Sequence, residues 1–150
     1  MANITSPAVE AQGRQTPSSG RVPAAILRLL LGLMFLVFGL NGFLKFMPEP
    51  KDMPQEIMVV LSALTAAGYM AVVSGAELLV AVLLLTDCFV PLALGLVAPI
   101  IVGILTFHIA LAPATIGPGI AVLLIELYLA WAYRAAFRPM LALKTQPGVS

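Results

Sequence analysis

Five side chains in this sequence have types suited to chemistry in apolar surroundings: Asn41, Lys45, Glu77, His108 and Glu126. A carboxyl group can carry a proton, and an imidazole can carry one near neutral pH. An ammonium or a carboxamide can donate hydrogen bonds to a carbonyl oxygen. Each of the five lies within, or at the end of, a long hydrophobic stretch, where an ionisable group needs a partner, a wet cavity or a route to water. The question is therefore which elements carry them and whether those elements can bring them together.

Of the 150 residues 61% are hydrophobic and 10% are charged, where a soluble domain carries about 25% charged residues. A soluble fold of this length could not hide so much apolar surface and still present a wettable exterior. That composition argues against a soluble enzyme and against a disordered chain, and a net charge of +1 leaves no electrostatic footprint for nucleic acid. The expected solvent is a lipid bilayer. Cys88 is the single cysteine, so neither an internal disulfide nor a CxxC redox pair can form. Beside an apolar segment it is expected to be a small buried hydrophobe.

Residues 1–21 are rich in Ser, Thr, Gly, Pro and Gln and read as a disordered tail with no signal-peptide pattern. A helix needs about 20 residues to cross a ~30 Å hydrocarbon core. Residues 24–46, 69–86, 91–111 and 119–137 meet that need, and residues 55–67 read as a short interfacial or re-entrant helix divided from the second span at Gly68. The expected fold class is thus all-α, a four-span membrane bundle over residues 22–137. Pro99 is expected to bend the third span, and Pro113, Gly117, Pro118 and Gly119 to turn the chain before the fourth. Residues 138–150 form a polar C-terminal tail.

Arg14, Arg21, Arg28, Arg134, Arg138 and Lys144 flank one side of these spans, and Lys45 and Lys51 the other. That asymmetry predicts a multi-pass protein of the plasma (inner) membrane with both termini in the cytoplasm. Counting along the helices then gives depth. Glu77 lies about 12 Å and Glu126 about 10 Å from the outer ends of their spans. His108 lies near the outer end of the third span, and Asn41 and Lys45, one turn apart, near that of the first. Polar groups from four helices thus share the outer half of the bundle. Ala71, Ser74, Gly75 and Ala81 keep the neighbourhood of Glu77 small, while Gly32, Gly39 and Gly42 form a second small stripe on the first span.

Structural explanations exist for several of these groups. Glu77 and Lys45 would make an ion pair that fixes helix register. His108 would be a half-wet, hydrogen-bonded residue, and Arg28 and Arg134 would extend to the cytoplasmic headgroups. Asp87 would sit in loop water, and Tyr128, Trp131 and Tyr133 would be interfacial or packing aromatics. Gly39-x-x-Gly42 lies inside an apolar span, so helix packing rather than phosphate binding explains it. No HExxH or Glu-x-x-His spacing is present, and no metal is expected.

Arg28-x-x-x-Gly32-x-x-Phe35-x-x-x-Gly39 with Lys45 following, then Leu61-Ser-Ala-Leu-Thr-Ala-Ala-Gly68-Tyr, Gly75-Ala-Glu77-Leu-Leu and the late His108, resemble the DoxX family of small bacterial membrane proteins. The resemblance runs from about residue 26 to residue 137. It implies a four-helix membrane protein of the oxidoreductase-component type, a group that includes the membrane subunit of a thiosulfate:quinone oxidoreductase and members tied to thiol or oxidative stress. The sequence departs from the pattern where Asp87-Cys88-Phe89 replaces a basic residue after the second span. With no thiol pair, a redox role needs a quinone, a partner protein, or both.

Two functions follow as expectations. In the first, the chain is the membrane subunit of a quinone-linked redox system, in which Glu77 and His108 are catalytic and Asn41, Lys45 and Glu126 bind the cofactor. Lys45 or His108 would hold a quinone carbonyl, and Glu77, relayed by Glu126, would move protons. In the second, the chain is a non-catalytic scaffold or an assembly or stress-response factor that binds a partner protein. A partner protein or a homo-oligomer is expected in either case, and a transporter fits less well because no polar path reaches the inner half.

Overall fold

A computed structural model describes residues 20–48 and 54–140, and every regular element among them is helical. The helices are α1 (Arg21–Leu44), α2 (Gln55–Ala66), α3 (Tyr69–Leu85), α4 (Val90–Leu111), α5 (Gly117–Ala132) and the short α6 (Arg134–Phe137), with a 3₁₀ turn at Pro113–Thr115 between α4 and α5. Two of them, α1 and α4, are long and apolar enough to cross a membrane. The α2–α3 pair makes a third candidate if it counts as one span, bent by 76° at its break. The expected tails lie outside the described residues except at their edges, as do Lys51 and its acidic neighbours Glu49 and Asp52.

α1 packs along α3, α3 on α4, α4 on α5, and α5 back on α1, closing a ring of four helices that alternate in direction. Its centre is filled by Leu31, Val80, Leu84, Leu94, Val97, Ile101 and Leu129, all essentially inaccessible. The outside is just as apolar: Val72 is 72%, Ile109 66% and Leu124 61% exposed, whereas Arg28, Ser74, Glu77 and Glu126 are buried. Apolar faces outward with polar groups inward reverse the arrangement that water favours.

Glycine sets the tightest contact. A Cβ on Gly42 would lie 1.8 Å from the Ser74 hydroxyl oxygen, and one on Gly39 would lie 2.9 Å from Leu78. The Gly32–Gly39–Gly42 stripe is therefore the seam on which α3 approaches α1. Gly75, expected to open such an approach, instead faces open space. The close contact comes from the glycines of α1, not from those of α3.

Element ends follow local chemistry. α1 stops two residues short of the expected Phe46 because Lys45 takes a left-handed conformation (φ 52°) and the Asn41 side-chain oxygen accepts the Met47 N–H at 2.7 Å. Gly68, at φ 76°, turns the chain between α2 and α3, a conformation that glycine adopts without strain. α4 runs through Pro99 unbroken. The expected single helix over 119–137 divides instead at Tyr133, where the backbone leaves helical geometry between α5 and α6.

At the end of the ring opposite Asn41, the expectation for Arg28 is corrected. Its side chain does not extend toward headgroups. It is buried, donates to the Leu84 carbonyl at 2.9 Å and pairs with Asp87 at 2.5 Å. Asp87 and Phe89 adopt left-handed conformations in the α3–α4 turn, and that turn presents the carboxylate to α1. Cys88, expected to be buried, is exposed in the same turn.

Candidate functional site

The alternation of helix direction places the C-terminal ends of α1 and α4 beside the N-terminal ends of α3 and α5. Between them lies a cavity of ≈ 910 Å³, at the upper end of the range of about 300–1,000 Å³ found for small-molecule sites. Met34, Phe35 and Phe38 of α1, Met70 and Val73 of α3, and Ile104 and Phe107 of α4 give it an apolar lining. Pro54 and Ile57, at the start of α2, also line it, so the short helix helps to cover the cavity rather than standing apart from the bundle.

Asn41, Lys45, Glu77 and His108 all line this one cavity, together with Ser74 and Thr115. Each is placed by its helix. Asn41 and Lys45 stand one turn apart at the end of α1, with the Asn41 oxygen engaged by Met47 N–H and its amide nitrogen left to donate. The left-handed cap at Lys45 ends the helix there, so the ammonium stem leaves from the rim, where the residue is exposed. Ser74 and Glu77 lie on the buried face of α3 that meets the α1 glycines, with Ala81 a turn further on.

His108 is fixed by its own helix. Its Nδ1 donates to the Ile104 carbonyl at 2.7 Å, and the Phe107 ring meets it edge-on at a centroid separation of 5.6 Å. With Nδ1–H occupied, Nε2 is the nitrogen left for chemistry. It accepts a proton or hydrogen bond in the neutral ring and donates as the imidazolium.

The expected Lys45–Glu77 ion pair is not formed. Among the described residues Arg28–Asp87 is the ion pair present, at the opposite end of the ring. Glu126 is also set apart from the other four. It lies on the buried stripe Gly119–Val122–Glu126–Leu129 of α5, and Gly119 and Val122 reach the cavity while Glu126 does not. Glu126 is about 6 Å deeper than Val122 along the helix, and its Oε2 has no partner among the described residues.

Sequence reasoning did not anticipate Ser74, Thr115 or the aromatic walls as parts of this site. Ser74 was legible only as a small residue near Glu77; its polarity acquires a place once Gly42 brings α1 against it. The arrangement can hold a lipophilic molecule by its apolar body and meet a polar end with a carboxyl, an imidazole, an amide and an ammonium. No family model, curated protein or solved structure matches this chain.

Proposed function

We propose that the protein is a four-span bundle of the plasma membrane, the membrane subunit of a quinone-linked redox system, and that the cavity receives the quinone ring. Four polar side chains from α1, α3 and α4 on the wall of a single large apolar cavity carry this reading. The apolar exterior and the lengths of α1 and α4 support the bilayer as solvent. α3, at about 25 Å, and α5 continued through α6, at about 31 Å, supply the other two spans. The asymmetry of the arginines supports a reading with both termini on the cytoplasmic side and the cavity in the outer leaflet. α2, meeting α3 at a steep angle, then lies along the outer interface over the cavity. The DoxX-like motif order belongs to the same reading.

The lining fits a quinone. A flat apolar ring with two carbonyl oxygens needs aromatic and thioether surfaces for its faces and a few donors at its edge. Phe35, Phe38, Phe107, Met34 and Met70 supply the surfaces. The Asn41 amide, the Lys45 ammonium and His108 Nε2 supply donors or proton sites at the edge. When bound, a quinone supplies a two-electron, two-proton couple, with electrons from a redox partner protein or a small reductant. The chain's own part is to hold and orient the ring, exclude water, and move protons. Glu77 exchanges a proton with the ring edge, and Lys45, at the exposed rim, links the site to outside water. Glu126 does not line the cavity and serves helix packing in this reading.

Ligand linkage tests the proposal. A short-chain quinone at 100 times its dissociation constant stabilises the purified protein by about 2.7 kcal/mol, read as a rise in apparent unfolding temperature. Val73→Phe, a half-buried position on the cavity wall, pushes a ring into the quinone's space and is expected to remove the rise. No rise in the parent protein, or an equal rise in Val73→Phe, would contradict the assignment. A protein that carries no quinone but retains a stoichiometric partner would instead favour the scaffold function.

A further inference from the structure

At the opposite end of the ring lies a second cleft, of ≈ 700 Å³, formed by the start of α1, the α3–α4 turn and the end of α5. Arg21, Arg28 and Arg134 line it, with Tyr128, Trp131 and Tyr133 and the one carboxylate of Asp87. Three guanidinium groups against one carboxylate leave an excess of positive charge. Asp87 is already engaged by Arg28 Nη1, so Arg21 and Arg134 are the cleft's cations with no ion-pair partner among the described residues. Arg134 stacks over Trp131 at 4.6 Å from the ring centroid and spends one nitrogen on the Trp131 carbonyl, a pose that fixes the fork while leaving its other N–H groups available.

A buried donor points the same way. Arg28 is 7% exposed, lines this cleft, and its Nε–H has no partner among the described residues. Leaving a charged donor buried and unpaired is costly, and an acceptor in the cleft would relieve that cost. The phenol hydroxyls of Tyr128 and Tyr133 add neutral donors. Arginine forks with neutral donors beside them are the chemistry that recognises phosphate oxygens. Trp131 of the lining is 61% exposed, and Val22 and Ile26, next in the chain to lining Arg21 and Ala25, are 55% and 52% exposed, so an apolar surface adjoins the charged one.

We propose that this cleft binds a phosphate-bearing anion, and that the apolar rim suits the headgroup of an acidic phospholipid with its acyl chains lying beside α1 and α5. The inference shares the membrane reading above but is independent of the quinone. Charge, cavity and the orphaned Arg28 Nε–H converge at a place the proposed redox chemistry does not use.

The test uses the full-length protein in mild neutral detergent, with phosphatidylglycerol, phosphatidylcholine or inorganic phosphate added and the apparent unfolding temperature recorded. Phosphatidylglycerol is expected to stabilise more than phosphatidylcholine, and the difference is expected to shrink as sodium chloride is raised. The double variant Arg21→Gln/Arg134→Gln should weaken the apparent affinity for phosphatidylglycerol by about 30-fold, at about 1 kcal/mol for each cation lost. Its response to a short-chain quinone should stay that of the parent, which separates this site from the redox cavity. Stabilisation by inorganic phosphate at equal ionic strength would support the phosphate site and assign its ligand to a soluble source. Equal stabilisation by both lipids with none by phosphate, or an unchanged response in the double variant, would overturn the proposal.

Discussion

Gly42→Ala is expected to lower the stability of the detergent-solubilised protein by about 1–3 kcal/mol, the cost of overpacking a close contact. The sign is informative, because alanine in place of glycine inside a helix ordinarily stabilises by about 0.5–1 kcal/mol. At Gly42 the new Cβ would fall 1.8 Å from the Ser74 hydroxyl oxygen and 2.6 Å from the Ser74 Cβ. Rotating the hydroxyl relieves the first contact but not the second, so α1 and α3 must move apart along their whole seam. Gly75→Ala supplies the control: its Cβ meets nothing within 4 Å, and its apparent unfolding temperature should hold or rise. Adding Ser74→Gly to Gly42→Ala should recover part of the loss, a non-additivity that only direct contact produces. Equal effects at Gly42 and Gly75 would show that the seam is not where the structure puts it.

Glu77→Gln is the second large effect. The substitution keeps the shape of the side chain and its ability to hydrogen-bond but removes its ability to exchange a proton. Quinol formation in native membranes, driven by the endogenous reductant, is expected to fall about 100-fold or more, the usual loss on removing a positioned acid–base group. Folding should be retained, because the carboxyl has no ion-pair partner among the described residues for the substitution to strand. If Glu77 only locks helices together, the pattern inverts: the unfolding temperature drops and turnover persists in the surviving fraction. Measuring both quantities on the same preparation separates the two roles.

Much of the helical framework was legible because hydropathy and spacing act locally. Helix breaks at Gly68, and turn chemistry at Pro113 and Gly117, depend on a residue and its neighbours. The gathering of Asn41, Lys45, Glu77 and His108 was legible for a different reason. Once the chain is taken to alternate in direction, counting residues at a fixed rise puts all four in the outer half of the bundle, where one cavity collects them. Depth says nothing about rotation, and there the reading fell short. Glu126 has a suitable depth by counting, but its stripe reaches the cavity only through Gly119 and Val122.

Arg28 was misread because its partners are distant in sequence. The carbonyl of Leu84 and the carboxylate of Asp87 come from the end of α3 and the following turn, and no local pattern announces a left-handed aspartate. A clue was present: an arginine one turn inside a span needs a counter-charge more than it needs reach, and Asp87 lies just past the end of the second span on the same side. The arginine-lined cleft was missed for the same reason. It exists only when the start of α1, the α3–α4 turn and the end of α5 are assembled.

The most direct measurement is to purify the protein from its native membrane in mild detergent, extract it with organic solvent, and identify the lipophilic molecules released per chain, alongside Val73→Phe prepared in the same way. A substoichiometric to equimolar quinone in the parent, lost in Val73→Phe while both proteins unfold at the same temperature once stripped of bound ligand, is the predicted result. Quinone absent from the parent, or retained equally by Val73→Phe, would contradict the claim that this cavity holds a redox-active ring.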